Sequence, residues 1–309
     1  MLKSRHDLDE ETSPRTVERR RNAVAATTMT HPCAPFHGST RRRAPSFWTC
    51  AWLLAIALTL HGHAAHAQNA PRVVDIPTRP GVTQRFLFIA PQTPKIAAIL
   101  YAGGHGGLQL DPSGRFGWGE GNFLVRTRTM FVDKGIAVAV IDAPSDRQSA
   151  PYLNGFRLSR EHADDARAVI AWLKTQLHIP VWLVGTSRGT QSVAAIAIAL
   201  AGGGGPDGIV LTSTILRDNR GGDPVTNMDL ASLRIPVLVV HHEKDGCKFC
   251  PVSETDTLMK KLDQSPKADL MIVSGGTSRG DPCEAFAYHG FNGVEGSVVD
   301  AISAWMLAR

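Results

Sequence analysis

Apolar positions fall into two kinds of run along this chain. Residues 96–102, 136–141, 181–184, 208–215, 236–241 and 268–273 are short, near-continuous and mostly β-branched or otherwise aliphatic. Such runs read as strands buried on both faces, as in a parallel sheet covered by helices. Between them lie segments of helical period. Residues 159–177 are the strongest, with Ala163, Ala166, Val169, Ile170, Trp172 and Leu173 on one side. Residues 123–134, 191–201, 255–262 and 294–307 are predicted as further helices, and the glycines at 202–205 as a helix stop. Near the front, 72–76 and 85–90 read as two strands turning at Pro80-Gly81. Strand and helix then alternate to the end, which predicts an α/β fold with a mostly parallel sheet.

One run ends differently from the rest. Val181-Trp182-Leu183-Val184 leads into Gly185-Thr186-Ser187-Arg188-Gly189, followed by an Ala/Ile-rich helix. A strand, Gly-x-Ser-x-Gly and a helix make up the context of a nucleophile elbow. The glycines permit a turn too tight for side chains, and the serine hydroxyl stands at a helix N-terminus that favours negative charge. Ser187 is the candidate nucleophile.

A nucleophilic serine needs a base, an acid to orient the base, and donors for the oxyanion. The run ending at Val240 continues as His241-His242-Glu243-Lys244-Asp245. Asp245 is the candidate acid and Glu243 its rival; a plain turn aspartate before Gly246 is the alternative. One histidine remains downstream, His289 in Ala287-Tyr288-His289-Gly290-Phe291, between the last strand and the last helix. It is the candidate base. Gly103-Gly104-His105-Gly106-Gly107 follows an early strand, and its small residues let backbone N–H groups approach a substrate. Gly103 or Gly104 is the expected first donor and Arg188 N–H the second. His105 stands beside the site as a substrate contact or a loop filler. The run lacks the Gly-Lys-Ser/Thr of a phosphate loop.

The leader changes the charge picture. Residues 41–67 run from three arginines through an apolar core to Ala65-His66-Ala67, the order of a signal peptide cleaved after Ala67. Residues 1–40 are polar and aperiodic, so they are expected to be disordered or to reflect a misassigned start, with Met29 giving a leader of ordinary length. Nine of the 33 Lys+Arg and five of the 28 Asp+Glu precede residue 68, so the formal +5 falls to about +1 in the remainder. A near-neutral chain gives no sign of a nucleic-acid partner. Residues 68–309 are expected to form one domain, exported to the periplasm or outside, with no stable membrane insertion after cleavage.

Three of the five cysteines lie beyond the leader: Cys247, Cys250 and Cys283. A bridge from Cys283 to Cys247 or to Cys250 would join the acid and base loops, and a local Cys247–Cys250 bridge is the alternative. A zinc site built from the three cysteines and a histidine is a further, less favoured option, and no metal is expected.

Taken together, the elbow, the Gly run at 103–107, Asp245 and His289-Gly290-Phe291 resemble the α/β-hydrolase superfamily over about residues 72–309, in its chain order Ser, Asp, His. Two departures stand out: Tyr101-Ala102 replaces the usual His-Gly before the Gly run, and Arg188 follows the nucleophile. The resemblance implies a mostly parallel sheet flanked by helices. It also implies acyl transfer through a Ser187-His289-Asp245 triad, without a metal or organic cofactor. Only about residues 217–234 are available for a lid, so a minimal one is expected. Phe116, Trp118 and Phe123 are candidate walls of an acyl pocket. A small-molecule carboxylic ester is the expected substrate; a peptidase, an acyltransferase and a non-catalytic binding protein remain alternatives.

Overall fold

The computed structural model describes residues 70–219 and 221–309. The expected extension at 1–40 and signal segment at 41–67 lie outside the described residues. Strands β1 (Arg72–Arg79) and β2 (Val82–Ile89) form an antiparallel hairpin about Pro80-Gly81. Gly81 has φ +72°, where a residue without Cβ is unstrained. Six further strands follow: β3 (Ile96–Tyr101), β4 (Ile136–Ile141), β5 (Val181–Thr186), β6 (Gly208–Thr212), β7 (Val237–His242) and β8 (Ala268–Val273).

All eight pair into one sheet in the order β1-β2-β4-β3-β5-β6-β7-β8. β2 meets β4 antiparallel, and every pair from β4 through β3 to β8 is parallel. The mostly parallel α/β architecture expected from the sequence is the one observed.

Successive strand residues point to opposite faces, and each face has its own apolar layer. Ile99 and Leu183 join a cluster with Ala166, Val169, Ile170 and Leu173 of α3 (Arg160–Leu177) and Val193 and Ile196 of α4 (Gly189–Ala199). Leu100, Val138, Val184 and Val240 join the other cluster. There they meet Phe123 and Leu124 of α1 (Phe123–Arg126), Phe131 of α2 (Arg128–Asp133), and Ile302 and Met306 of the C-terminal helix (Glu295–Leu307). Helices on both faces explain why the strands read as unbroken apolar runs. The short helix Thr255–Lys260 adds Leu258 to the first layer.

Two boundaries differ from expectation for local reasons. The helix predicted over residues 123–134 is broken at Thr127, whose φ −98° and ψ 3° lie between α1 and α2. Its hydroxyl donates to Phe123 O at 2.7 Å, one helical turn back. The strand predicted over 208–215 stops at Thr212: Ser213 N–H still donates to Val240 O at 2.9 Å, but its φ of +45° turns the chain out of the extended conformation. The α3 start holds: Ser159 caps it by accepting from His162 N–H. Among the described residues no helix is long and apolar enough to cross a membrane.

Leu183 is fully buried on the strand that feeds the elbow. Leu183→Ala is expected to lower stability by about 2–5 kcal/mol, read as a fall in the urea midpoint at unchanged m-value.

Candidate active site

The parallel strands deliver their carboxyl ends to one edge of the sheet, and the singled-out residues gather there. Gly103 follows β3, Ser187 follows β5, Asp245 lies three residues past β7, and His289 lies beyond β8. Brought to one edge, they no longer depend on their separation in sequence.

Ser187 is half-buried with φ +53°, the left-handed region that costs a non-glycine residue about 1–2 kcal/mol. Packing and hydrogen bonds hold it there. Ser187 N–H donates to Thr212 O at 3.0 Å, and Thr190 Oγ1 donates to Ser187 O at 2.6 Å. The flanking glycines are needed sterically. A Cβ at Gly189 would run into Tyr101 O, and one at Gly185 would press on the backbone of Gly189.

Asp245 and His289 form a buried pair, with His289 Nδ1 2.9 Å from Asp245 Oδ2. Asp245 Oδ1 accepts from Cys247 N–H at 2.9 Å, which fixes the carboxylate plane. His289 Nε2 is buried and has no hydrogen-bond partner among the described residues. The rival acid Glu243 is exposed and sits 4.0 Å from Lys244.

The two histidines before Asp245 are engaged elsewhere. His241 Nε2 accepts from Thr214 N–H at 2.9 Å, and burial pushes its pKa down to about 4. His242 stands 2.8 Å from Gly275 O and accepts from Lys244 N–H.

The loops that carry Asp245 and His289 are tied together. Cys247 is bonded to Cys283, closing a separation of 36 residues, and Cys250 is a buried free thiol. By chain entropy a loop of that length is worth about 3–4 kcal/mol. Ser213 Oγ donates to His289 O at 2.7 Å, and Arg126 donates to Gly290 O at 2.6 Å. Neither anchor announced itself in the sequence, because an isolated Ser or Arg carries no motif. Cys247, Cys250 and His289 each offer a metal-ligating atom within 4.8 Å of one another. With the Cys247 sulfur bonded to Cys283, this arrangement is not a ready ligand set.

Gly103 packs on the elbow so closely that a Cβ there would lie 2.9 Å from Ser187 Cβ. Gly104 has φ +59° and lies against Trp118. Among the described residues nothing accepts from the N–H groups of Gly103, Gly104 or Arg188. Beyond the Gly run, buried Asp142 accepts from Leu110 N–H at 2.9 Å and Ala143 N–H at 2.7 Å, which anchors the following turn.

A cleft of about 790 Å³ opens over Ser187 and His289, with Trp118, Phe123, Phe249 and Phe286 among its walls. Two candidates lie away from it. Phe116 is buried in the core with Arg128 over its ring at 5.3 Å, because β-bridge pairing with Leu110 turns it inward. His105 is sandwiched between Trp118 and Tyr152, at 3.8 and 4.3 Å between ring centroids, and accepts from Gly107 N–H. It fills the space between the two rings and stands behind Trp118, not among the residues that line the cleft. Over the candidate lid at 217–234, the described helical segments are two three-residue 3₁₀ turns, Val225–Asn227 and Leu230–Ser232.

No family model matches the sequence, and no curated protein matches it. Solved structures do match. An esterase from Pyrococcus furiosus superposes with a TM-score of 0.55 at 14% identity, over 76% of this chain and 90% of that one. A dienelactone hydrolase from Anabaena variabilis gives 0.52 at 14% identity, over 78% and 99%. The chain has the α/β-hydrolase fold. A cold-adapted esterase from an Arctic intertidal metagenomic library, bound to polyethylene glycol, shares that fold at a TM-score of 0.52 and 14% identity, over 76% and 93%. Identities this low carry the α/β-hydrolase architecture and no more.

Alkylation of the unfolded, unreduced chain is expected to modify Cys250 and leave Cys247 and Cys283 joined in the peptide map; among these three, free Cys247 and Cys283 would contradict the bridge.

A second prediction concerns acid. His241 and His162 are both buried, with pKa values pushed down to about 4 and about 3. The unfolded chain therefore binds more protons than the folded one below the ordinary histidine value of about 6.5. Stability is full above that value and falls as pH drops towards 4. Melting temperatures between about pH 7 and pH 5 should decline less steeply in His241→Gln than in the parent chain.

Proposed function

We propose that the protein is an exported serine hydrolase that cleaves carboxylic esters through an acyl-enzyme intermediate. The observation that carries this reading is the buried Asp245–His289 pair, whose Nε2 is unpartnered in the same cleft as the strained Ser187. Asp245 holds the proton on Nδ1, so Nε2 presents its lone pair as a general base. Ser187 Oγ attacks the ester carbonyl carbon and gives its proton to Nε2. The carbonyl oxygen becomes an oxyanion, met by the N–H groups of Gly103 and Arg188, with Gly104 as the neighbouring donor. The intermediate collapses and Nε2 protonates the departing alcohol. Water, deprotonated by the same nitrogen, then releases the acid.

The walls lend support to one substrate class. Four aromatic side chains and Ile215 support an apolar or aromatic ester of modest size, while Arg188, Arg279, Asp281 and Glu284 at the same cleft leave room for a polar end. Two of the fold neighbours bear the name esterase, which is fold-level support for an ester over other acyl compounds. The Cys247–Cys283 bridge fits an oxidising compartment, and so supports export.

A fluorophosphonate is expected to label Ser187, with the adduct located by mass spectrometry. Labelling should vanish in Ser187→Ala and slow by at least about a hundredfold in His289→Ala. Short p-nitrophenyl esters should be turned over in step. Folded protein that does not label would overturn the reading in favour of a binding protein on a hydrolase fold.

A further inference from the structure

Arg157 is out of keeping with its surroundings. It is 1% exposed and is the bulkiest of the fully buried side chains, yet no ion pair among the described residues includes it. Burying a guanidinium without a carboxylate is costly. Its hydrogen bonds go to two places. Nη2 donates to Ala102 O at 3.3 Å and to Gly104 O at 3.2 Å, both in the Gly run beside Ser187. Nη1 donates to Ser192 Oγ at 2.8 Å, in the first turn of α4, the helix that starts at the elbow.

The consequence is one of peptide geometry. In a trans peptide the C=O and N–H point in opposite directions. Ala102 O and Gly103 N–H share one plane, so drawing the carbonyl towards Arg157 turns the Gly103 N–H away from it. Among the described residues that N–H has no acceptor, and Gly103 is the residue packed against Ser187. The grip on Gly104 O sets the next plane but one. The bond to Ser192 ties the same loop to α4.

Space for this arrangement is built in. Gly106 takes φ +79°, and a Cβ there would collide with Arg157 Nη2 and Leu153. Leu153 N–H donates to His105 O at 3.0 Å, holding the segment that carries Arg157 under the Gly run. Burial and the neighbouring Arg188 push the Arg157 pKa down to about 9, so the side chain remains a cation at neutral pH.

We propose that Arg157 is a positioning residue that sets the peptide planes of the oxyanion loop and places an unneutralised buried charge beneath it. This rests on the Ser187 hydrolase reading. A charge without a counter-ion in a low-dielectric interior stabilises negative charge developing above it. The effect belongs to the transition state, in which the oxyanion exists, and not to the bound ester.

The test uses the full chain with Arg157→Met, Arg157→Lys and Ser192→Ala. Active sites are counted with a fluorophosphonate. Then kcat and KM for a p-nitrophenyl ester, and the inhibition constant of a trifluoromethyl ketone, are measured per active site. The ketone forms the oxyanion covalently and reports on the loop directly. In Arg157→Met, kcat is expected to fall about a hundredfold with KM within about twofold, and ketone affinity to fall by the same factor as kcat/KM. Arg157→Lys, which keeps the charge, should regain part of the loss, and Ser192→Ala should lose less than Arg157→Met. Unchanged kcat per site, or a fall in kcat with unchanged ketone affinity, overturns the proposal. Should Arg157→Met not fold, the other two variants decide by the same paired readout. A parent chain that neither labels nor hydrolyses overturns the hydrolase reading and this inference with it. An active parent with an unaltered Arg157→Met overturns this inference alone.

Discussion

The start of α4 lies in contact with the end of β3, and the site depends on that closeness. Gly189 has no room for a Cβ against Tyr101 O. The approach forces the chain to reverse within Thr186-Ser187-Arg188, which puts Ser187 at φ +53°. Such strain persists only where the surroundings over-determine it. Here Thr212 O, the Thr190 hydroxyl and the two apolar layers of the sheet do so. The same closeness brings Gly103 against Ser187. One steric constraint therefore shapes both the serine and its neighbouring loop.

The loops bearing Asp245 and His289 have a different problem. They leave the sheet from β7 and β8 and carry little regular structure of their own. Loops of this kind are mobile unless tied down. Cys247–Cys283, the Ser213 hydroxyl on His289 O, and Arg126 on Gly290 O supply the ties. Each acts on backbone or on neighbouring loop residues and leaves the imidazole unencumbered. Arg126 is itself paired with Glu295 at 2.9 Å, which joins the His289 loop to the C-terminal helix. The ties on the Asp245–His289 pair thus come in part from the cleft wall, where Cys247 and Cys283 lie, and in part from Ser213, Arg126 and Glu295.

Much of this was legible in the residues, for reasons that differ from place to place. The runs of the parallel strands were clear because helices cover both faces of the sheet, so few positions of β3 to β8 are polar and those lie mostly at the strand ends. Gly185, Ser187 and Gly189 were clear because a tight turn restricts residue type at fixed local spacing. Asp245 and His289 were singled out because chain order left one histidine downstream, and the structure puts them 2.9 Å apart. Phe116 and His105 went otherwise. Their residue types suit a pocket wall or a substrate contact, but a β-bridge and an aromatic sandwich decide where they point.

By itself the sequence determined the α/β class, the hairpin at the front, the elbow and a short list of chemically able residues. These follow from local sterics and from the periods of strand and helix, which act over a few residues. The tertiary structure decided which cysteine pairs with Cys283 and which face of residues 103–107 meets the serine. It also decided that Arg157 donates to the Gly run and that Ser213 and Arg126 donate to the His289 loop. Those contacts join positions 30 to 160 residues or more apart, as in Arg157 to Ser192 and Arg126 to Gly290. Proximity of that kind is set by the order of strands in the sheet, and no local pattern encodes it.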